Sequence, residues 1–255
     1  MNTLALPAPR FSLWRCYALE ARNEFLRMLR APSFVLPTLL FPPMFYVLFA
    51  VLFGSHSGFE ANVYLLATYG VFGVMSPGLF GLGVTVATDR ERGWLTLKRA
   101  LPMPPGAYIV SKLAMAMLFA AIIFAMLAVI SMTLGGVRLP LSAWLSLLAF
   151  DLLGVLPFCA IGLFIGSLVG GSAAPAIANL IYLPMSFLSG LWMPLAVLPA
   201  FITKLAPLWP AWHLGRLALA AVGQAPGEAL LPHVLALALV AALFALLARR
   251  RLVRG

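Results

Sequence analysis

Six apolar runs, each near the length of a membrane crossing, constrain this chain more than any other feature. They cover about Ser33–Phe53, Asn62–Ala87, Ser111–Leu134, Leu141–Gly166, Ser172–Met193 and Ala229–Ala248. A helix needs roughly 20 apolar residues to cross about 30 Å of hydrocarbon. Of the 255 residues 63% are apolar and only 9% are Asp, Glu, Lys or Arg, so one core cannot hide the apolar side chains behind a wettable surface. Lipid is the solvent. Backbone groups in lipid must be satisfied within their own segment, and the alternation of a barrel is absent. The expected fold is therefore an all-α integral membrane protein with six transmembrane helices.

Charge orients it. Arg10, Arg15, Arg22, Arg27 and Arg30 precede the first span, and Arg90, Arg92, Lys98, Arg99 and Lys112 lie at the second connection. Arg249, Arg250, Arg251 and Arg254 follow the last span, whereas only Arg138, Lys204 and Arg216 fall on the other side. The positive-inside rule places both termini in the cytoplasm. Because the basic residues flank spans, the net charge of +10 speaks for membrane lipids as partners and against nucleic acid. Cys16 and Cys159 have no C-x-x-C spacing, so neither a disulfide framework nor a metal knuckle is expected. The start of the chain lacks an apolar stretch followed by a small-residue cleavage site, and no signal peptide is expected.

The expected organisation is a single domain over 1–255. An amphipathic interface helix occupies 1–32, spans one to five occupy 33–193, and an outer segment 194–228 follows. The sixth span, 229–248, leads to a basic tail, 249–255. In the first segment Phe11, Trp14, Ala18, Ala21, Phe25 and Met28 recur at helical spacing, with Arg15, Glu20, Arg22, Glu24, Arg27 and Arg30 around the remainder. Such a helix lies in the interface, its arginines toward anionic headgroups. It reads either as an orientation anchor or as a lever meeting a partner protein, with Trp14, Arg15, Phe25 and Arg27 as its candidate residues. The outer segment holds two stretches too short to span, Leu195–Leu205 and Trp212–Val222, punctuated by Pro194, Pro199, Pro207 and Pro210. They read as re-entrant helices or as surface amphipathic ones.

The second connection carries the most information. Thr88 and Glu91 have capping-box spacing, Trp94, Leu97 and Leu101 form a short apolar ridge, and Pro102, Pro104 and Pro105 stop the helix. Such a helix offers an apolar ridge, rimmed by charge, to something that covers it. The stretch Glu91-Arg92-Gly93-Trp94-Leu95 through Leu101-Pro102-Met103-Pro104-Pro105, with Lys112 opening the third span, resembles the coupling-helix signature of ABC-2 type permeases. Ser189-Gly190-Leu191-Trp192-Met193-Pro194, with Leu208-Trp209-Pro210 and His213, is similar to that family's outer re-entrant helices. One departure is Trp94, where many members carry Thr after the glycine.

The resemblance implies an exporter permease of the inner membrane that works with a separate ATP-binding cassette ATPase and a second permease copy. The copy makes a homodimer, or a heterodimer with a related chain. ATP and Mg would be bound by the ATPase. Thr88, Glu91, Gly93, Trp94, Leu97 and Leu101 would then be the ATPase-coupling residues.

The chain excludes some chemistry by itself. A P-loop needs Gly-Lys-Ser/Thr, and Lys98, Lys112 and Lys204 follow Leu97, Ser111 and Thr203. His56, His213 and His233 are dispersed, without spacing for a zinc or His–carboxylate site. Glu20, Glu24, Asp89 and Glu91 read as salt-bridged surface. Asp151 is the one charge well inside a span and should face the bundle, as a translocation-path residue or a packing one. Gly162, Gly166 and Gly170 have the spacing of close helix approach. An ion-coupled secondary transporter is the alternative function; it would want several intramembrane ionisable residues and inverted repeats.

Overall fold

The computed structural model describes residues 12–53, 58–100, 104 and 106–254, and every regular element among them is helical. Besides two short 3-10 turns, Leu195–Val197 and Ala206–Leu208, ten helices follow one another among the described residues: α1 (Leu13–Leu29), α2 (Pro32–Leu52), α3 (Gly58–Glu91), α4 (Trp94–Ala100), α5 (Ala107–Thr133), α6 (Leu141–Leu168), α7 (Ala174–Leu188), α8 (Ala200–Leu205), α9 (Pro210–Ala221) and α10 (Leu230–Arg254). Of these α2, α3, α5, α6 and α10 are long and apolar enough to cross a membrane. The expected fifth span differs: α7 has 15 helical residues, about 22 Å of rise. Gly190, at φ +73°, follows its end, and a Cβ there would meet Leu195 Cγ at 2.7 Å.

The long α3 is the axis of the bundle and the most buried of the five. Pro77 lacks an N–H for its ladder, and the helix opens into wide π-type turns over Pro77–Leu82. Where it opens, α6 comes close. A Cβ on Gly162 would stand 2.4 Å from the Gly78 carbonyl oxygen, and one on Gly166 would stand 2.5 Å from the Gly83 carbonyl oxygen. Two of the three expected small-residue positions thus seat α6 on α3. The third, Gly170, lies beyond α6 and faces the Glu91 carboxylate at an ordinary 3.7 Å.

The bundle has two polar ends. One gathers α1, α4, the start of α5 and the connection after α6. At the other, Asn62 Nδ2 donates to the Gly135 carbonyl at 2.9 Å and Tyr64 Oη to that of Gly190 at 2.6 Å. From this end α10 runs back along α6, Phe244 meeting Phe164 at 5.5 Å, which returns the C-terminal arginines to the end that holds α1.

Sequence spacing gave no reason to join the histidines, yet the fold joins two of them. His213 on α9 and His233 on α10 face each other, Nδ1 to Nδ1, at 2.9 Å; His56 lies outside the described residues. His233 Nε2 lies 2.9 Å from Glu228 Oε1, and Arg216 holds both Glu228 oxygens, its Nε donating to Oε1 at 2.8 Å. Arg216 first, then the His233 bond, pulls the Glu228 carboxyl below its ordinary value, and burial of His213 lowers that imidazole too.

Two predictions follow from these contacts. Gly162→Ala should destabilise the bundle by about 1–3 kcal/mol, because backbone cannot yield, whereas Gly170→Ala should stay near the parent; reaction of the buried Cys159 with a thiol dye during heating, in a Cys16→Ser background, reads both. In acid, a group held below its unfolded pKa stabilises above that value and loses the contribution as pH falls through the folded one. The melting-temperature advantage of the parent over Glu228→Gln should therefore be full above about pH 4.5 and shrink below it.

Candidate functional site

The last turn of α3 is a hub rather than a cap. Thr88 and Glu91 were expected to open a new helix; instead they lie inside the end of α3. Thr88 Oγ1 donates to the Val84 carbonyl at 2.8 Å, four residues back, as a hydroxyl within a helix does. Gly93 makes the break. At φ +72° it occupies the left-handed region that only glycine enters at low cost, and its carbonyl accepts from Thr96 and Leu97 to start α4.

Three consecutive charged residues of that turn reach different parts of the bundle, since successive positions on a helix point about 100° apart. Asp89 faces α1 and α5. Arg90 donates to the carbonyls of Ser167 and Val169, satisfying acceptors that the end of α6 leaves open. Glu91 accepts from the Gly171 N–H at 2.6 Å, tying the turn that leads into α7.

The centre of the hub is Lys112, fully buried one and a half turns into α5. Its ammonium donates to Glu24 of α1 and to Thr85 Oγ1 at 2.8 Å, and stands 3.2 Å from Asp89 Oδ2. Asp89 also accepts from Arg27 Nη2 at 2.9 Å and from Tyr108 Oη at 2.8 Å. Two carboxylates and two cations balance. A surface reading of Glu24 and Asp89 is therefore corrected: both are buried. So is the reading of α1, whose Glu24 and Arg27 turn into the bundle rather than toward headgroups. Phe25 enters with them, its ring 5.2 Å from that of Phe119. Arg15 is exposed on the outer side of α1, and Trp14 is 82% exposed.

The hub holds α4 by two side chains. Lys98 pairs with Glu20 of α1, and the Trp94 ring has two guanidiniums near it, Arg27 at 5.4 Å and Arg92 at 5.8 Å from its centroid. Trp94 is 40% exposed and Leu97 63% exposed; Leu101 lies outside the described residues. Asp151 is far from this end. It is 2% exposed on α6, with Oδ2 3.0 Å from where a Gly70 Cβ would stand, and its Oδ1 has no hydrogen-bond partner among the described residues.

Comparison with known families matches residues 17–221 to the ABC-2 type transporter family, a stretch that begins within α1 and includes the hub. The chain belongs to that family. The protein named "Putative transport permease YvfS" of Bacillus subtilis (strain 168) is 26% identical over 196 residues, 75% of this chain and 79% of that one. This ABC-2 permease is accordingly a multi-pass membrane protein of transport. Its family supplies membrane-spanning subunits, generally not catalytic themselves, that normally partner with an ATP-binding cassette ATPase.

Removing one partner of a buried ion cluster leaves an uncompensated charge and costs about 3–5 kcal/mol. Lys112→Met should lower thermal stability by that order, and Lys112→Met with Glu24→Gln should recover part of it, because one orphaned carboxylate is then neutral. Melting of the purified permease in detergent checks both.

Proposed function

We propose that this permease is the membrane subunit of an exporter, moving its substrate out across the cytoplasmic membrane with ATP hydrolysed by a separate ATPase. In this reading both termini are cytoplasmic and α7 completes the sixth crossing. A second permease copy completes the pathway, and ATP and Mg reside in the ATPase. The element that meets the ATPase is α4. Its support is a single observation: an exposed Leu97 on a short helix that Trp94 and Lys98 fix to the buried hub. A ridge that merely rested on the membrane would not need that fixation. Push on α4 reaches α1 through Lys98–Glu20, α3 through Gly93, and the α6–α7 connection through Glu91 and Gly171.

The same geometry separates the roles of the coupling residues. Leu97 is a contact for the partner, Trp94 and Gly93 set the attitude of α4, and Thr88 and Glu91 belong to transmission inside the permease. Truncating a central apolar anchor in an interface costs about 2 kcal/mol or more, roughly thirtyfold in affinity. Leu97→Ala, and more strongly Leu97→Asp, should lose ATPase copurification and export at unchanged permease abundance and melting temperature. Glu91→Ala should keep the ATPase and lose export. Full export by the Trp94→Ala, Leu97→Ala double variant would contradict the coupling role.

A further inference from the structure

A cavity of about 650 Å³ opens beside the hub, bounded by α1, α2, α3 and α7, within the roughly 300–1,000 Å³ of small-molecule sites. Its lining is graded along its length. At the hub end are the guanidiniums of Arg27 and Arg92, the two near Trp94. Arg27 is balanced by Glu24 and Asp89, whereas Arg92 has no carboxylate partner among the described residues. Toward the middle of the bundle the walls turn aromatic, with Phe41, Phe80 and Tyr182. Ser76 on α3 and Arg92 just beyond its end both line it, 16 positions apart, so the cavity runs along several turns of helix.

Two further features point to an amphiphilic occupant rather than to packing. Thr38 Oγ1 and Ser76 Oγ lie 3.0 Å apart on the cavity wall. Asn179, an exposed residue of α7, also lines the cavity, and its amide makes no hydrogen bond among the described residues. Thr38 and Ser76 satisfy each other, but a purely apolar ligand would desolvate Arg92 and the Asn179 amide without compensation, and a cationic one would meet the unpaired Arg92. We propose that the cavity binds an acidic amphiphile, its anionic headgroup on Arg92 and its apolar body against the aromatic walls. Planar guanidinium suits a phosphate or carboxylate, which it can hold by two parallel bonds. The proposal rests on the exporter reading only for the direction in which such a molecule would move. The acidic amphiphile could be a membrane lipid held in place or the transported cargo.

The test uses the full chain in phosphatidylcholine nanodiscs, without ATPase or nucleotide, so that its failure leaves ATP coupling untouched and loss of ATPase docking leaves it intact. Lysophosphatidate and lysophosphatidylcholine of the same acyl chain are titrated, and retained probe is counted by native mass spectrometry. Lysophosphatidate should bind about tenfold tighter or better. Arg92→Gln should remove most of that preference at an unchanged melting temperature, and Arg22→Gln, exposed on α1 away from the cavity, should keep it. In phosphatidylglycerol nanodiscs, loss of the probe to bulk lipid would support a resident lipid and retention would support a cargo. Equal binding of the two headgroups, or a preference undiminished in Arg92→Gln, would overturn the proposal.

Discussion

Lys112 is the group on which the end of the bundle that holds α1 depends. An ammonium taken out of water inside a bundle is expensive unless its partners are already in place, and the partners come from two other elements, Glu24 on α1 and Asp89 on α3. None of the three can move alone without stranding a charge. Buried ion clusters of this kind add little net stability compared with apolar packing, but breaking one by removing a partner is costly. Here the cluster fixes α1 as a cross-strut beneath α5. It also turns the end of α3 so that Arg90 and Glu91 reach the α6–α7 connection, and Arg27 is left to carry the Trp94 ring.

Beyond the hub, the bundle is held by close backbone approach. Between helices in lipid there is no hydrophobic drive, so small residues and van der Waals contact do the holding. Gly162 and Gly166 meet α3 where the turns after Pro77 are widened, and wide turns within a membrane helix often mark functional places. The cavity begins one helical face away from this contact, with Ser76 and Phe80 in its wall. A shift of α3 against α6 would therefore alter the wall and the hub together.

The spans were legible in the sequence because their signal is compositional: lipid demands long apolar runs, and α2, α3, α5, α6 and α10 are where the runs are. The short α7 was not, since Ser172–Met193 is an uncharged, mostly apolar run and only the glycine at 190 marks where the helix stops. Thr88–Glu91 misled because the spacing of a capping box also occurs by chance near a helix C-terminus; the left-handed glycine at 93 was the better signal. The hub was out of reach. Residues 24, 89 and 112 look like scattered interfacial charge until the fold sets them within hydrogen-bond distance, and the same holds for His213 and His233. Lys112 did carry a clue, being a lysine that sits inside an apolar run and must find an acceptor.

The central claim is that α1, the end of α3 and α4 form one block that transmits movement rather than absorbing it. Spin labels on Cys16 of α1 and on Thr96→Cys of α4, in a Cys159→Ser background, measure the distance across that block by electron–electron double resonance. The comparison is the permease–ATPase complex without nucleotide and trapped with ADP and vanadate. The account predicts that this distance changes by less than about 2 Å, the scale of packed helices settling. The distance from Thr96 to a label at Ala200, at the opposite end of the bundle, should change by more. A shift of α4 against α1 by about one helical turn, 5 Å or so, would contradict it and make α4 a hinge instead of a lever.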